Sequence, residues 1–417
     1  MYKSFNKKSM RVIKEEHQGI STILAFVLIP ISGFATDIYI PSLPSMAGEL
    51  HVSNAAVQLS ILLFMVSYGL SQLLVGSLLD SFGRFRLGSV ALLAFSLSSF
   101  AIAFTNNIYL IYAMRILQGI AVSFIMVGKR AYFMDIYKGD KLKHYTSLFS
   151  IVWAVAPIIA PFLGGYFQEL WGWQSNFLSL GFFSLAILVL EQIYSGESLK
   201  VRHPFQFKSI VNVYSMMIRT GDFSYGLVIL ALSYSMLVVF GMTSPFLIEH
   251  VFHFSPVVSG YSALLSGVAL MTGGIISKAL ISRPLDRKVL VAVSLQILFA
   301  LLMIGVNRLW TNIYTLMIFV ALIHLLGGFI FNIVFAYALG RFTKNAGVAS
   351  GITGGGNYVV TSFFAYMITG LFRISNVALL GVAYLVLAVL LLGAFVLFRK
   401  ARLASERVET MIQTNRA

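Results

Sequence analysis

No cysteine occurs in the 417-residue sequence, which excludes disulfides and thiolate metal sites without identifying a compartment. Charge is also scarce: charged residues make up 11% of the chain, and 15 acidic side chains face 30 basic ones. No combination of nucleophile, base and orienting group stands in the hydrophilic segments, which argues against an enzyme. His250 and His253, three apart, are too few for a metal site. Gly354 to Gly356 lies in an apolar run with no Lys-Ser/Thr after it, so it is not a phosphate loop.

What is present is apolar side chain, far more than a soluble core can bury. Hydrophobic residues are 58% of the chain and the mean hydropathy is +0.86, which identifies an integral membrane protein. A helix needs about 20 mainly apolar residues to cross the hydrocarbon. Twelve such stretches are expected, near 20–43, 53–79, 87–105, 107–128, 145–167, 173–194, 221–247, 256–280, 289–306, 311–340, 346–371 and 376–398. The first is too long for the apolar part of a signal peptide and runs on into FATDIYIPSLP (34–44), so it is expected to remain as the first helix.

The net charge of +15 follows the same alternation. Of 30 Lys and Arg, 27 fall in the N-terminal tail, in alternate loops, in the segment after the sixth stretch and in the C-terminal tail. This is the positive-inside bias of a polytopic protein with both termini in the cytoplasm, and it leaves no reason to expect nucleic acid as a partner. The longest hydrophilic segment, near 194–222, lies between the sixth and seventh stretches. The expected organisation is a tail (1–19), a six-helix bundle (20–194), a cytoplasmic linker (195–220), a second six-helix bundle (221–398) and a tail (399–417).

Three motifs narrow the class. The second stretch ends in Gly76-Ser-Leu-Leu-Asp80-Ser-Phe-Gly83-Arg84-Phe-Arg86, a tight turn at Gly83 with an acid at a helix end and an Arg able to reach a neighbouring helix. It resembles the loop motif of the major facilitator superfamily, with Ser81 and Phe85 where that family has basic residues. Arg115-Ile-Leu-Gln118-Gly119 is similar to the R-x-x-Q-G of proton-coupled facilitators. Ala156-Pro157-Ile-Ile-Ala160-Pro161-Phe-Leu-Gly164-Gly165 resembles the fifth-helix motif of antiporters, with Ala at two glycine positions. Small residues four apart permit close helix approach and the two prolines bend the helix, which serves either packing or rocking of the halves.

With FATDIYIPSLP, Arg130-Ala131 followed by Asp135, Ser244-Pro-Phe and Gly347-Val-Ala-Ser-Gly351, the chain resembles the bicyclomycin-resistance branch of the twelve-helix drug:proton antiporters. The resemblance implies an all-α polytopic membrane protein with the major facilitator fold, two six-helix bundles around a central cavity. It further implies a monomer in the bacterial inner membrane, a small-molecule substrate, protons as the coupled ion, the lipid bilayer as surroundings and no cofactor beyond the proton gradient. The expected activity is efflux of amphiphilic compounds or drugs by alternating access. A dedicated metabolite or siderophore carrier, exporting or importing, is the alternative, and a non-transporting sensor has no use for charges inside the bilayer.

Two such charges stand out. An ionised carboxylate in hydrocarbon costs several kcal/mol, so an intramembrane acid is a functional candidate by default. Asp37 lies roughly 9 Å below the outer end of its helix and Arg115 roughly 12 Å below the same surface, at about 1.5 Å per residue. In the family fold their helices are neighbours around the cavity, so a direct or water-bridged pair is expected. Such a pair would tune proton exchange at Asp37 or only fix packing, and Asp37 has the further option of serving the Pro41 break. His324, roughly 18 Å into its helix, is either a second proton-coupling group or hydrogen-bonded packing. Tyr39, Gln118, Asn332 and Asn357 are candidates to line the cavity, and Gly76, Asp80, Gly83, Arg84, Pro157, Pro161, Gly164 and Gly165 to control its opening.

Overall fold

The structure is a computed structural model. It describes residues 13–202, 204–205, 207–342 and 346–414, and the side chains of these except at 150–151, 153–154, 209, 346–347 and 408–414. Among the basic residues counted above, Lys3, Lys7, Lys8, Arg11, Lys344 and Arg416 lie outside the described residues.

The first span, Glu15–Glu49, is broken. It comprises α1 (Gln18–Leu28), α2 (Ile31–Asp37), a 3-10 turn (Ile40–Ser42) and α3 (Leu43–Glu49). Pro30, Pro41 and Pro44 sit at these joints, each removing a backbone donor that an unbroken helix would use. Asp37 is therefore the last residue of a helix inside the membrane, beside a break.

Long helices follow: α4 (Asn54–Phe82), α5 (Arg84–Ala103), α6 (Ile108–Ile136), α7 (Gly139–Trp171) and α8 (Gln174–Tyr194) complete the first half. The linker contains a helix of its own, α9 (Phe207–Arg219). The second half is α10 (Gly221–Phe246), α11 (Pro256–Ala279), α12 (Leu285–Leu309), α13 (Ile313–Arg341), α14 (Ala346–Gly351), α15 (Asn357–Phe372) and α16 (Val377–Thr414). A π-helical turn, Ile352–Gly356, joins α14 to α15. Among the described residues, ten helical segments are long and apolar enough to cross a membrane. The two other expected crossings correspond to α7 and to the α14–α15 segment. Several ends run further than the composition indicates: α6 continues to Ile136 rather than 128, α7 begins at Gly139 rather than 145, and α16 continues to Thr414 rather than ending at 398.

Within the first half α4 packs on α6, and α5 on α6 and α8. Within the second half α11 packs on α13, and α16 on α10 and α12. The halves meet along two seams, α7 against α11 and α4 against α15 with its preceding π turn. Small residues make both seams tight. A Cβ on Gly165 would stand 2.7 Å from the Pro256 carbonyl, and one on Gly260 would stand 2.8 Å from the Pro161 carbonyl. In the other seam, Gly69 and Gly355 each leave no room for a Cβ against the partner's backbone carbonyl. Away from the basic, terminus-bearing end, Gln58 Nε2 donates to the Met242 carbonyl at 2.8 Å and the Tyr166 and Tyr261 hydroxyls lie 3.0 Å apart, both across the halves.

Glycine also sets the packing of α11 on α13, where a Cβ on Gly328 would overlap the Leu270 carbonyl. Gly328→Val should therefore destabilise the chain by about 1–3 kcal/mol through overpacking. Gly305→Ala, in α12 with nothing within 4 Å of the added atom, should stabilise it by about 0.5–1 kcal/mol through helix propensity. Unfolding midpoints in one detergent test both; equal shifts would contradict the packing account.

Candidate functional site

Arg115, in α6, is wholly buried. Its guanidinium donates from Nη1 to the Ala35 carbonyl at 2.9 Å and to Gln118 Oε1 at 2.7 Å, and from Nε to the Ser60 carbonyl at 3.4 Å. It lies over the rings of Tyr39 and Phe64, 4.8 and 4.3 Å from their centroids. Ala35 belongs to the last turn of α2, where carbonyls lack a helical partner, so the break in the first span supplies Arg115 with an acceptor. Gln118 Nε2 donates in turn to Ser99 Oγ of α5 at 2.8 Å, and the Tyr39 hydroxyl lies 2.9 Å from Ser60 Oγ. Carbonyls, an amide and two aromatic faces thus replace a counter-ion. Arg115 Nη2 alone is buried without a partner.

Of the two forms expected, a direct pair with Asp37 is not formed. Asp37 is only partly buried, and neither a hydrogen bond nor an ion pair joins it to the guanidinium, which points into the first half. Asp37 instead lines a void between the halves, together with Met65 of α4, Pro157 and Pro161 of α7, Tyr234 of α10 and Ser266 of α11. The void is about 40 Å³, room for water and far below a drug-sized pocket. Tyr39 and Gln118, expected on the cavity, are wholly buried inside the first half and take part in holding Arg115.

His324 is buried in the second half. Its Nδ1 lies 2.6 Å from Ser266 Oγ and its Nε2 lies 3.1 Å from the Tyr384 hydroxyl, with Phe240 edge-on at 5.5 Å. Ser266 therefore stands between this imidazole and the void beside Asp37. Asn332 donates to the Gly274 carbonyl at 3.1 Å and to Ser277 Oγ at 2.5 Å, joining α13 to α11. Asn357, first residue of α15, is buried with its Oδ1 unpartnered.

The residues of α7 divide between two neighbours. Ala156 and Pro157 pack on Gly33 and Gly164 packs on the Ile38 backbone, both in the first span, whereas Ile158, Pro161 and Gly165 meet α11. One helix thus touches the backbone on either side of Asp37 and one of the seams.

At the basic end, Gly83 takes φ +98, a left-handed conformation that favours glycine, and caps both α4 and α5. Arg84 pairs with Asp80 at 2.9 Å and with Asp135 at the end of α6. Ser198 Oγ, in the linker, donates to Asp135 at 2.8 Å. The adjacent Glu197 accepts the backbone N–H groups of Arg84 at 3.0 Å and Phe85 at 3.3 Å, satisfying the free donors at the start of α5. A Cβ on Gly76 would sit 4.0 Å from Val127, an ordinary contact.

Asp37 and Arg115 are accompanied by further charges nearer the helix ends at the basic side. Lys129 of α6 pairs with the buried Glu191 of α8 at 2.6 Å, and the buried Asp222 of α10 pairs with Arg341 of α13 at 2.9 Å while accepting from the Tyr337 hydroxyl at 2.6 Å. Among the described residues no group of three or more His, Cys, Asp or Glu is placed to hold a metal ion.

Comparison with known proteins agrees with this architecture. The family model described as Major Facilitator Superfamily matches residues 25–365. The chain is 25% identical over 345 residues to YdgK of Bacillus subtilis (strain 168), named as an uncharacterized MFS-type transporter, covering 82% of this chain and 86% of the relative. It is 30% identical over 167 residues to multidrug resistance protein D of Escherichia coli (strain K12), covering 40% of this chain and 42% of the relative. It is also 25% identical over 338 residues to multidrug resistance protein MdtL of Shigella dysenteriae serotype 1 (strain Sd197), 80% of this chain and 84% of the relative. Among solved structures, the xylose transporter XylE from E. coli in an inward-open conformation superposes with a TM-score of 0.67 at 12% identity, over 89% of this chain and 95% of that one. The human organic anion transporter MFSD10 does so with a TM-score of 0.63 at 17% identity, over 90% and 98%; at such identities the likeness concerns the fold alone. A family match across most of the length, on a chain of ten or more apolar crossings in two packed halves, makes this multi-pass membrane protein a transporter that belongs to the major facilitator superfamily.

Proposed function

We propose that the chain is a proton-driven exporter of small amphiphilic compounds, working by alternating access as a monomer in the bacterial inner membrane with both termini in the cytoplasm. The observation that carries this reading is Asp37: an acid inside the membrane, without an ion partner, facing the void between the halves. An unpaired intramembrane carboxylate is stable only if it can exchange its charge for a proton or a cationic ligand. Asp37 stands where the two would compete. The names of the bacterial multidrug-resistance relatives support export of drug-like molecules.

In this reading Arg115 is a positioning residue. It holds the α2 carbonyl end, and so the Asp37 carboxylate, at a fixed height while keeping its own charge satisfied elsewhere. A void of about 40 Å³ admits no drug, so the halves must part for substrate to enter. The seam of α7 and α11 is the one that borders Asp37. Substrate or proton arrival at Asp37 would reach it through Pro157, Pro161 and Gly164, which join the two in one helix.

Transport by purified protein in vesicles with an imposed pH gradient, screened over cationic drugs and metallophores, tests the activity and separates drug export from metabolite carriage. Asp37→Asn keeps size and hydrogen bonding but cannot lose a proton. It should bind substrate yet fall to the level of empty vesicles in gradient-driven accumulation. Transport at the wild-type rate with the same pH-gradient dependence would refute the proton role and make His324 the next group to test.

Arg84 joins Asp80, Asp135 and, through Asp135, the linker. Arg84→Ala should slow turnover several-fold with substrate affinity unchanged, because a latch alters the populations of states rather than contacts in the cavity. Equal losses of binding and turnover would instead indicate misfolding.

A further inference from the structure

The linker helix α9 divides into three sectors. Buried Met217 and partly buried Val213 and Tyr214 form a protein-facing side, packed with Leu73 of α4, Ala338 of α13 and Ile352 of the π turn. The Tyr214 hydroxyl donates to the Leu73 carbonyl at 2.6 Å and lies against Gly351. This one helix therefore touches both halves at the basic end, beside the seam between α4 and α14–α15. Thr220, in extended conformation, is all that separates α9 from α10, a membrane-crossing helix that starts at Gly221.

The second sector is apolar and faces outward, with Phe207 also lying near Phe205 just before the helix, ring centroids 6.4 Å apart. Phe207, Val211 and Ile218 are 54%, 43% and 58% exposed, and at 3.6 residues per turn they fall within about 40° of arc. The third sector, adjoining it, holds Lys208, Asn212, Ser215 and Arg219, with both basic residues exposed. A protein face, an apolar stripe and a cationic edge, in that order around a helix roughly 20 Å long, is the arrangement of a helix lying in the membrane interface.

The occupant of the apolar stripe follows from position and size. Joined to α10 by one residue, α9 is held at the level where that helix leaves the hydrocarbon, so lipid is always within reach. Three side chains offer far less surface than the roughly 800 Å² that each partner contributes to a stable protein interface. The basic edge complements anionic headgroups, which attract cationic segments within a Debye length of the surface.

We propose that α9 is a lipid-anchored clamp: Phe207, Val211 and Ile218 insert into the leaflet at the basic end, Lys208 and Arg219 engage anionic headgroups, and through Tyr214 the anchored helix braces the α4 and α14–α15 seam. Anionic lipid would thereby favour the conformation in which that seam is closed. Among the described side chains of α9, Met216 is the one exposed apolar group outside the stripe.

The absence of cysteine allows single-site labelling of the full chain. Ile218→Cys and Asn212→Cys, each carrying an environment-sensitive fluorophore, are reconstituted in phosphatidylcholine vesicles with and without a third of phosphatidylglycerol. With anionic lipid, the probe at 218 should be quenched by nitroxides on the upper acyl chain and shielded from a water-soluble quencher, and the probe at 212 should show the reverse. Adding Lys208→Glu and Arg219→Glu should reduce the lipid quenching at 218 several-fold. Amide exchange at 213–217 should slow several-fold with phosphatidylglycerol in the wild type and not in the double variant. Aqueous quenching at 218 in both lipids, or shielding of 218 from both quenchers as in a contact between copies, would overturn the proposal. Exchange at 213–217 that ignores lipid charge would overturn the clamp.

Discussion

Within the hydrocarbon a polar group without a protein partner has no bulk water to replace it, and the interior of this transporter is arranged around that constraint. Toward the basic end Lys129 has Glu191 and Asp222 has Arg341 and Tyr337, and deeper in the first half Arg115 has two carbonyls, an amide and two aromatic rings. Among the described residues Asp37 has none of these, and it lines a void between the halves. The contrast separates charges that hold the fold from the charge available to a ligand. It also explains why the first span is broken: the interrupted turn provides the carbonyl that satisfies Arg115 and ends α2 at the carboxylate.

Two seams of small residues allow the halves to meet closely. Close approach to the opposing backbone at Gly165, Gly260, Gly69 and Gly355 gives dispersion energy in the closed state, and ring contacts such as Tyr166 with Tyr261 and Tyr68 with Tyr358 are the side-chain contacts that must part on opening. Because α7 presents Gly164 to the first span and Gly165 to α11, a change at the Asp37 break has a direct route to the seam. At the basic end the linker is not a free tether. Glu197 and Ser198 fix its start to the first half, and Tyr214 fixes α9 across both.

Much of this was legible in the residues. Apolar runs and the alternation of Lys and Arg identified the crossings and the two halves, and the loop motif placed Arg84 near an acid. The azimuth of each side chain was not legible, because counting residues along a helix gives depth alone. Asp37 and Arg115 share a depth yet face different surroundings. Spacing did hold part of the answer: residues three apart on a helix share a face, as Arg115 and Gln118 do. Lys129 was assigned to a loop because α6 extends a further two turns. Glu197 as the cap of α5 is a contact over 113 residues and leaves no local pattern, whereas Ile210, Val213, Tyr214 and Met217 did mark α9 by their three- and four-residue spacing.

The central claim is that the exchangeable proton resides on Asp37. Infrared difference spectroscopy of the purified protein, recorded as a transported compound is added, reads this carboxyl directly. Loss of a protonated-carboxyl band with proton release to the medium, both absent in Asp37→Asn, is the predicted result. Proton release that persists in Asp37→Asn, or that occurs with no change in any carboxyl band, would contradict it.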